Sequence, residues 1–219
     1  MSETSKTKKI WTDFERSLLT GQGIDIGCGL DPISPDAMPF DQEQGDANRI
    51  TEYVKQQFDF VFSSHCLEHM HDPKGALLEW WKLVRPGGVL FIVVPDEDIY
   101  EQGHWPSRLN DDHKVTFTIS KRQSWSPVSV NVLDLVQALP GGELVSMQVQ
   151  NNNYDYSLKT HAYRSNFYSW LRKAISSVLY NLKLISFDQK IRVRPPVDQT
   201  SFRDTEVVAQ IQFIVRKKK

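Results

Sequence analysis

Three histidines stand close together in this sequence, and imidazole groups can exchange protons or hold a metal ion. His65, His69 and His71 lie within seven residues, and only the first two are four positions apart. The three have no compact spacing with a cysteine of the kind that zinc sites use. The spacing therefore does not favour a metal site, and packing or capping is the simpler interpretation.

A second group of chemically active residues lies in the segment 96–127, where His113 directly follows Asp111 and Asp112. Histidine suits proton abstraction from a hydroxyl because its ordinary pKa of about 6.5 is close to working pH. His113 is the first candidate for a general base, with one of the two aspartates as its orienting group, and His104 is the second. The same carboxylates could instead hold a divalent cation.

A glycine turn at residues 23–29 (G-I-D-I-G-C-G) could receive a ligand. The pattern predicts a buried strand that runs into a bend, where Gly27 and Gly29 leave the peptide groups uncovered. In open α/β sheets, such a bend at the carboxyl end of the first strand binds nucleotide-like ligands. The turn alone is weak evidence, since a purely structural bend has the same composition.

The elements that would position these residues follow from hydrophobic periodicity. Strands are predicted at 37–41, 58–65, 89–95, 143–149 and 206–215. Helices are predicted near 10–19, 48–57, 73–83, 130–139 and 166–184. Asp72 before Pro73 is a favourable helix start. Residues 1–9 are expected to be frayed, and the segment 96–127 has neither a helical nor a strand period.

Three stretches in this order resemble the class I S-adenosylmethionine-dependent methyltransferases. They are D-I-G-C-G at 25–29, F-D-x-V-x-S-S-x-x-L-E-H at 58–69 and R-P-G-G-x-L at 85–90. The resemblance implies a Rossmann-like doubly wound α/β fold, with a mostly parallel sheet and an antiparallel last strand. It implies S-adenosyl-L-methionine as the cofactor. The cofactor-binding residues carried over from the resemblance are Asp25, Gly27, Cys28, Gly29, Asp41, Asp46, Ala47, Ser64 and His65.

The chain departs from the family pattern after the glycine turn. Pro32, Pro35 and Pro39 exclude the long first helix, because proline lacks the amide donor and clashes with the preceding turn. We therefore expect a truncated first helix, with insertions after the fifth and sixth strands of the family's sheet. A non-catalytic relative that keeps the fold is one alternative. A dinucleotide-dependent oxidoreductase is disfavoured because Pro32 replaces the third glycine of G-x-G-x-x-G.

The segment from Pro95 to Phe117 is similar to small methyltransferases associated with bacterial surface polysaccharides. This second resemblance implies polysaccharide biosynthesis and a sugar or glycan hydroxyl as the acceptor. The expected reaction is in-line methyl transfer with His113 or His104 removing the hydroxyl proton, supported by Asp112. Another small-molecule acceptor remains the alternative.

Charge is unevenly distributed along the 219 residues, although the net charge is only −1. Residues 1–150 carry 13 Lys and Arg against 22 Asp and Glu, and residues 151–219 carry 13 against 5. We expect one domain with a cofactor-binding core at 10–150, a basic insertion at 151–205, and a last strand with a basic tail at 206–219. The basic part could favour an anionic acceptor.

Composition also indicates where the protein is located and which kinds of partner it can bind. Cys28 and Cys66 cannot make a disulfide framework, and residues 1–6 lack an apolar signal core, so a cytoplasmic protein is expected. No apolar run is long enough to span a bilayer. The sequence is compatible with peripheral membrane contact and with a homo-oligomer. Nucleic acid is not expected as a partner.

Overall fold

The computed structural model describes residues 3–159, 167–184, 196–201 and 206–219. Its strands are β1 (Gly23–Ile26), β2 (Met38–Phe40), β3 (Phe58–Ser64), β4 (Val84–Pro95), β5 (Thr116–Thr118), β6 (Ser129–Asn131), β7 (Gly142–Gln150) and β8 (Gln210–Lys217). Its α-helices are α1 (Glu3–Ile10), α2 (Asp13–Leu18), α3 (Pro73–Lys82), α4 (Val132–Gln137) and α5 (Phe167–Asn181). Two short 3-10 helices span Ala47–Glu52 and Leu67–His69.

Six of the strands form one sheet in the order β2-β1-β3-β4-β8-β7. The first four are parallel, and β8 runs antiparallel to both β4 and β7. The predicted fold class, a mostly parallel Rossmann-like sheet with an antiparallel last strand, is therefore confirmed. Strands β5 and β6 make a separate two-stranded sheet beside it.

Both faces of the sheet are buried, which explains why its central strands are continuous apolar runs. Helix α3 packs on one face, where Trp80 and Leu77 are almost fully buried. On the other face Trp11 packs against Phe62 and Phe91, with ring centroids 5.8 and 4.9 Å away. This second face is covered by the chain's N-terminal part and by Ile33 and Ala37 of the connection from β1 to β2, which forms turns and no helix. The truncated first helix is thus confirmed.

Several local predictions agree with the structure. Asp72 caps α3 by accepting the amide hydrogen of Gly75 at 3.0 Å, with Pro73 as the first helical residue. The very short second strand lies where it was expected. Among the described residues, no helix has both the length and the apolar composition needed to cross a bilayer.

Other predictions need correction. Residues 3–10 form a helix in place of a frayed end, because Lys6 and Thr7 are buried against distant parts of the chain. The helix expected at 48–57 is only a 3-10 helix at 47–52. The segment 96–127 contains a strand, β5, which needs the distant β6 as its partner.

Helix α5 leaves Ile175 and Val178 at least half exposed, while Ala174 and Leu179 are partly buried. Parts of the basic insertion, at 160–166, 185–195 and 202–205, lie outside the described residues.

Candidate functional site

A cavity of about 410 Å³ opens at the carboxyl edge of the sheet, beyond the ends of β1, β2 and β3. Open α/β sheets bind ligands at this edge, and the volume falls within the usual range for small-molecule sites, roughly 300–1,000 Å³. Its lining comprises Gly27, Phe40, Asp41, Gln42, Gly45, Asp46, Ala47, Asn48, His65, Cys66, His69, Met70, His71, Asp112 and Lys114.

The glycine turn after β1 forms one wall. Gly27 has a φ of +76°, and its amide donates to the carbonyl oxygen of Phe40 at 2.8 Å. A methyl group on Gly27 would lie 2.5 Å from Cβ of Cys66. Gly29 has a φ of +54°, and a methyl group there would meet nothing within 4 Å. Gly29 therefore exposes bare backbone that a ligand can approach, whereas the Cys66 side chain fills the space beside Gly27.

Two aspartates follow this turn in the cavity wall. Asp41 comes directly after β2, and its Oδ2 accepts the amide hydrogen of Gly29 at 2.6 Å. A carboxylate can accept several donors at once, so Asp41 can also bind two hydroxyls. Asp46 caps the 3-10 helix by accepting from the amide of Asn48 at 2.9 Å, and its bonds to Asn48 lower its pKa. Asp46 thus has a structural role as well as a place in the wall.

Four of the predicted cofactor-binding residues do not line the cavity: Asp25, Cys28, Gly29 and Ser64. Asp25 is buried in β1 and accepts the amide hydrogen of Ile33 at 2.6 Å, while burial raises its pKa to about 7. It therefore supports the turn from behind. Burial also raises the pKa of the Cys28 thiol, which fits a packed side chain and not a nucleophile.

Histidines form the opposite wall, around the carboxylate of Glu68. Glu68 is fully buried, and Nδ1 of His65 lies 3.4 Å from its Oε1. Burial alone would lower the pKa of His65, but the Glu68 carboxylate outweighs burial and raises that pKa to about 9. His65 has a φ of +53°, a strained conformation for a non-glycine residue, of the kind that clusters at functional sites.

His69 and His113 approach the same carboxylate from the turn after β3 and the segment after β4. Nε2 of each ring lies 4.0 Å from Oε1 of Glu68. Nδ1 of His69 lies 2.9 Å from Oδ2 of Asp112, and Nδ1 of His113 lies 2.6 Å from Oε1 of Glu101. The two rings are in edge contact, 5.2 Å between centroids. A backbone hydrogen bond of 2.8 Å from Lys114 to Glu68 joins the two segments.

These contacts change the expected roles of the candidate catalytic residues. The orienting carboxylate of His113 is Glu101 and not Asp112, which contacts His69 and Lys114. His113 is buried behind His69 and does not itself line the cavity, and neither does His104. Glu68 and Glu101 were missed, although the L-E-H triplet at 67–69 was a usable signal.

The cavity is suited to S-adenosylmethionine on two observations. Gly29 has uncovered backbone and Gly27 lies in the cavity wall, and Asp41 follows β2 in that wall with a carboxylate able to accept ribose hydroxyls. Asp46 and Ala47 lie further along the same wall, where the adenine would be held. The cofactor would thus occupy the glycine side of the cavity, with the histidine side left for an acceptor.

Comparison with known proteins gives a family match for part of the chain. Residues 23–92 match the family model described as a methyltransferase domain. The match covers 70 of the 219 residues, and it agrees with the predicted enzyme class, a methyltransferase, and with the predicted cofactor, S-adenosylmethionine. No curated protein is significantly similar to the chain.

Several solved structures resemble the chain at low sequence identity. A protein from Bacillus halodurans C-125 is 13% identical over 100% of both chains, with a TM-score of 0.48. The plantazolicin methyltransferase BamL, in complex with a triazolic desmethylPZN analog and SAH, is 15% identical over 99% of this chain and 85% of its own, with a TM-score of 0.47. The [4+2]-cyclase SpnF is 13% identical over 93% and 77%, with a TM-score of 0.46.

Proposed function

We propose that this protein transfers a methyl group from S-adenosylmethionine to a hydroxyl of a sugar or glycan. The observation that carries the proposal is a two-sided cavity, with a bare glycine turn and Asp41 on one side and a histidine cluster on the other. The sugar acceptor is supported by the resemblance of residues 95–117 to methyltransferases associated with surface polysaccharides.

The bound cofactor supplies an electrophilic methyl group on a sulfonium, so the protein must chiefly align the reactants and exclude water. The residues around Gly27 and Asp41 hold the donor, and the segment 96–131 closes the acceptor side. That segment is stiffened by Glu97, whose buried carboxylate accepts from Lys121 at 2.9 Å and from Ser124 at 2.8 Å.

A hydroxyl acceptor must lose its proton as the new bond forms, and the histidine cluster is placed to assist. His69 is the member of the cluster with a side chain in the cavity wall, and Asp112 holds its Nδ1, which leaves Nε2 as the basic atom. His113 is held in the same way by Glu101 behind it. General base catalysis of this kind contributes roughly 10²- to 10⁴-fold.

Methyl transfer from isotopically labelled S-adenosylmethionine to glycan fractions and to a panel of small hydroxyl compounds tests the proposal. We expect labelled glycan or sugar, and a loss of turnover in His69→Gln with little change in affinity for S-adenosylhomocysteine. Transfer to protein, RNA or amines alone would contradict the acceptor class. Donor binding without transfer to any acceptor would favour the non-catalytic alternative.

A further inference from the structure

We propose that Glu68, His69 and His113 form a binding site for a divalent transition-metal ion of the zinc or iron type. The three residues each offer one ligand atom, and these atoms all lie within 4.8 Å of one another. Two imidazoles and one carboxylate are a ligand set that binds such ions. The site lies at the acceptor side of the cavity, because His69 is part of its wall.

The hydrogen bonds behind the histidines support metal binding. Each Nδ1 faces a carboxylate, Asp112 at 2.9 Å for His69 and Glu101 at 2.6 Å for His113. Such a bond keeps the proton on Nδ1 and leaves the Nε2 lone pair free as a ligand, which is the usual second layer of a histidine metal site. Two lone pairs then face a carboxylate oxygen, an arrangement that a cation between them stabilises.

Glu68 provides an independent observation. Its side chain is fully buried, and no donor among the described residues makes a hydrogen bond to either of its oxygens. Nδ1 of His65 lies 3.4 Å from Oε1 and forms an ion pair with it, which balances part of the charge while Oε2 keeps no partner. Buried carboxylates are normally hydrogen-bonded, paired or bound to metals. A metal ion would satisfy Glu68 directly.

The spacing is compatible with coordination after a small adjustment. Bonds of about 2.1 Å in tetrahedral geometry place ligand atoms roughly 3.4 Å apart, compared with the 4.0 Å between Glu68 Oε1 and each Nε2. Three protein ligands leave an open fourth position. Only the role of the ion in the reaction rests on the proposed function. With its Nε2 bound to the metal, His69 would no longer be the base, and the ion would instead bind the acceptor hydroxyl and lower its pKa.

Metal titration of the full-length, tag-free protein tests the site. Protein treated with a chelator and then dialysed is titrated with Zn²⁺ and separately with Co²⁺, and bound metal is counted by plasma mass spectrometry. We expect one ion per chain and a visible Co²⁺ absorption typical of imidazole ligation. Glu68→Gln and His113→Gln should each weaken binding at least tenfold. His71→Gln, an exposed neighbour outside the cluster, is the matched control and should keep the metal.

The proposal is overturned if Glu68→Gln and His113→Gln bind Zn²⁺ and Co²⁺ as tightly as the wild type does. It is also overturned if the wild type retains neither ion, or if it binds Mg²⁺ more tightly than Zn²⁺. Melting curves of the metal-free variants check that they fold. Should one fail to fold, the Co²⁺ spectrum of the wild type decides, since an all-oxygen octahedral spectrum excludes the site. A thermal shift with S-adenosylhomocysteine on metal-free protein separates the two proposals, because donor binding does not require the ion.

Discussion

Replacing Gly27 by alanine should destabilise the protein much more than the same change at Gly29, although both glycines belong to one turn. Both residues have positive φ, which costs an alanine about 1–2 kcal/mol. At Gly29 nothing else is added, because the new methyl group would meet no atom within 4 Å. At Gly27 the methyl group would lie 2.5 Å from Cβ and 2.6 Å from Sγ of Cys66.

The clash between the new methyl group and Cys66 determines how much more Gly27→Ala should destabilise the protein than Gly29→Ala. Overpacking of a filled interior typically costs about 1–3 kcal/mol, and Cys66 is buried. We therefore expect Gly27→Ala to lose roughly 2–5 kcal/mol of unfolding free energy, and Gly29→Ala about 1–2 kcal/mol. Urea denaturation followed by circular dichroism measures both values, provided the slopes with denaturant stay equal.

A second substitution tests the cause. Cys66→Gly removes both atoms that the new methyl group would touch, so in that background Gly27→Ala should cost about as much as Gly29→Ala does in the wild type. The coupling between positions 27 and 66 should then be roughly 1–3 kcal/mol. Equal losses for the two single glycine variants, or no coupling between Gly27 and Cys66, would refute the steric reasoning.

Three further predictions concern buried or cavity-lining carboxylates. Asp41→Asn should weaken binding of S-adenosylhomocysteine about tenfold in calorimetry, because hydrogen bonds to a charged acceptor are worth about 1.5–3 kcal/mol; unchanged affinity would argue against the ribose contact. Burial raises the pKa of Asp25 to about 7 from its ordinary 3.8, so the folded state holds its proton more tightly and wild-type stability should fall as pH rises from about 4 to 7. Asp25→Asn should remove up to about 4 kcal/mol of that fall, and an unaltered pH slope in urea denaturation would contradict it. Glu97→Gln should cost about 2 kcal/mol, since Lys121 loses a buried charged partner; limited proteolysis should then cut within 96–131 sooner than in wild type.

The sequence by itself determined the parts of the protein that depend on local backbone chemistry. Gly27 and Gly29 predicted the turn because few other residues adopt positive φ at low cost. The prolines at 32, 35 and 39 predicted the missing helix because proline lacks an amide donor. Continuous apolar runs predicted the buried parallel strands, and with them the edge of the sheet at which the cavity opens.

Only the tertiary structure decided which polar side chains meet. Glu68 and Glu101 belong to separate segments, and no local pattern pairs either of them with His113. They come together because β3 and β4 lie side by side and the amide of Lys114 bonds to the carbonyl of Glu68. Likewise, α1 is ordered by burial of Lys6 and Thr7 against residues about 200 positions away. Such contacts depend on strand order and chain packing, which periodicity along the sequence does not contain.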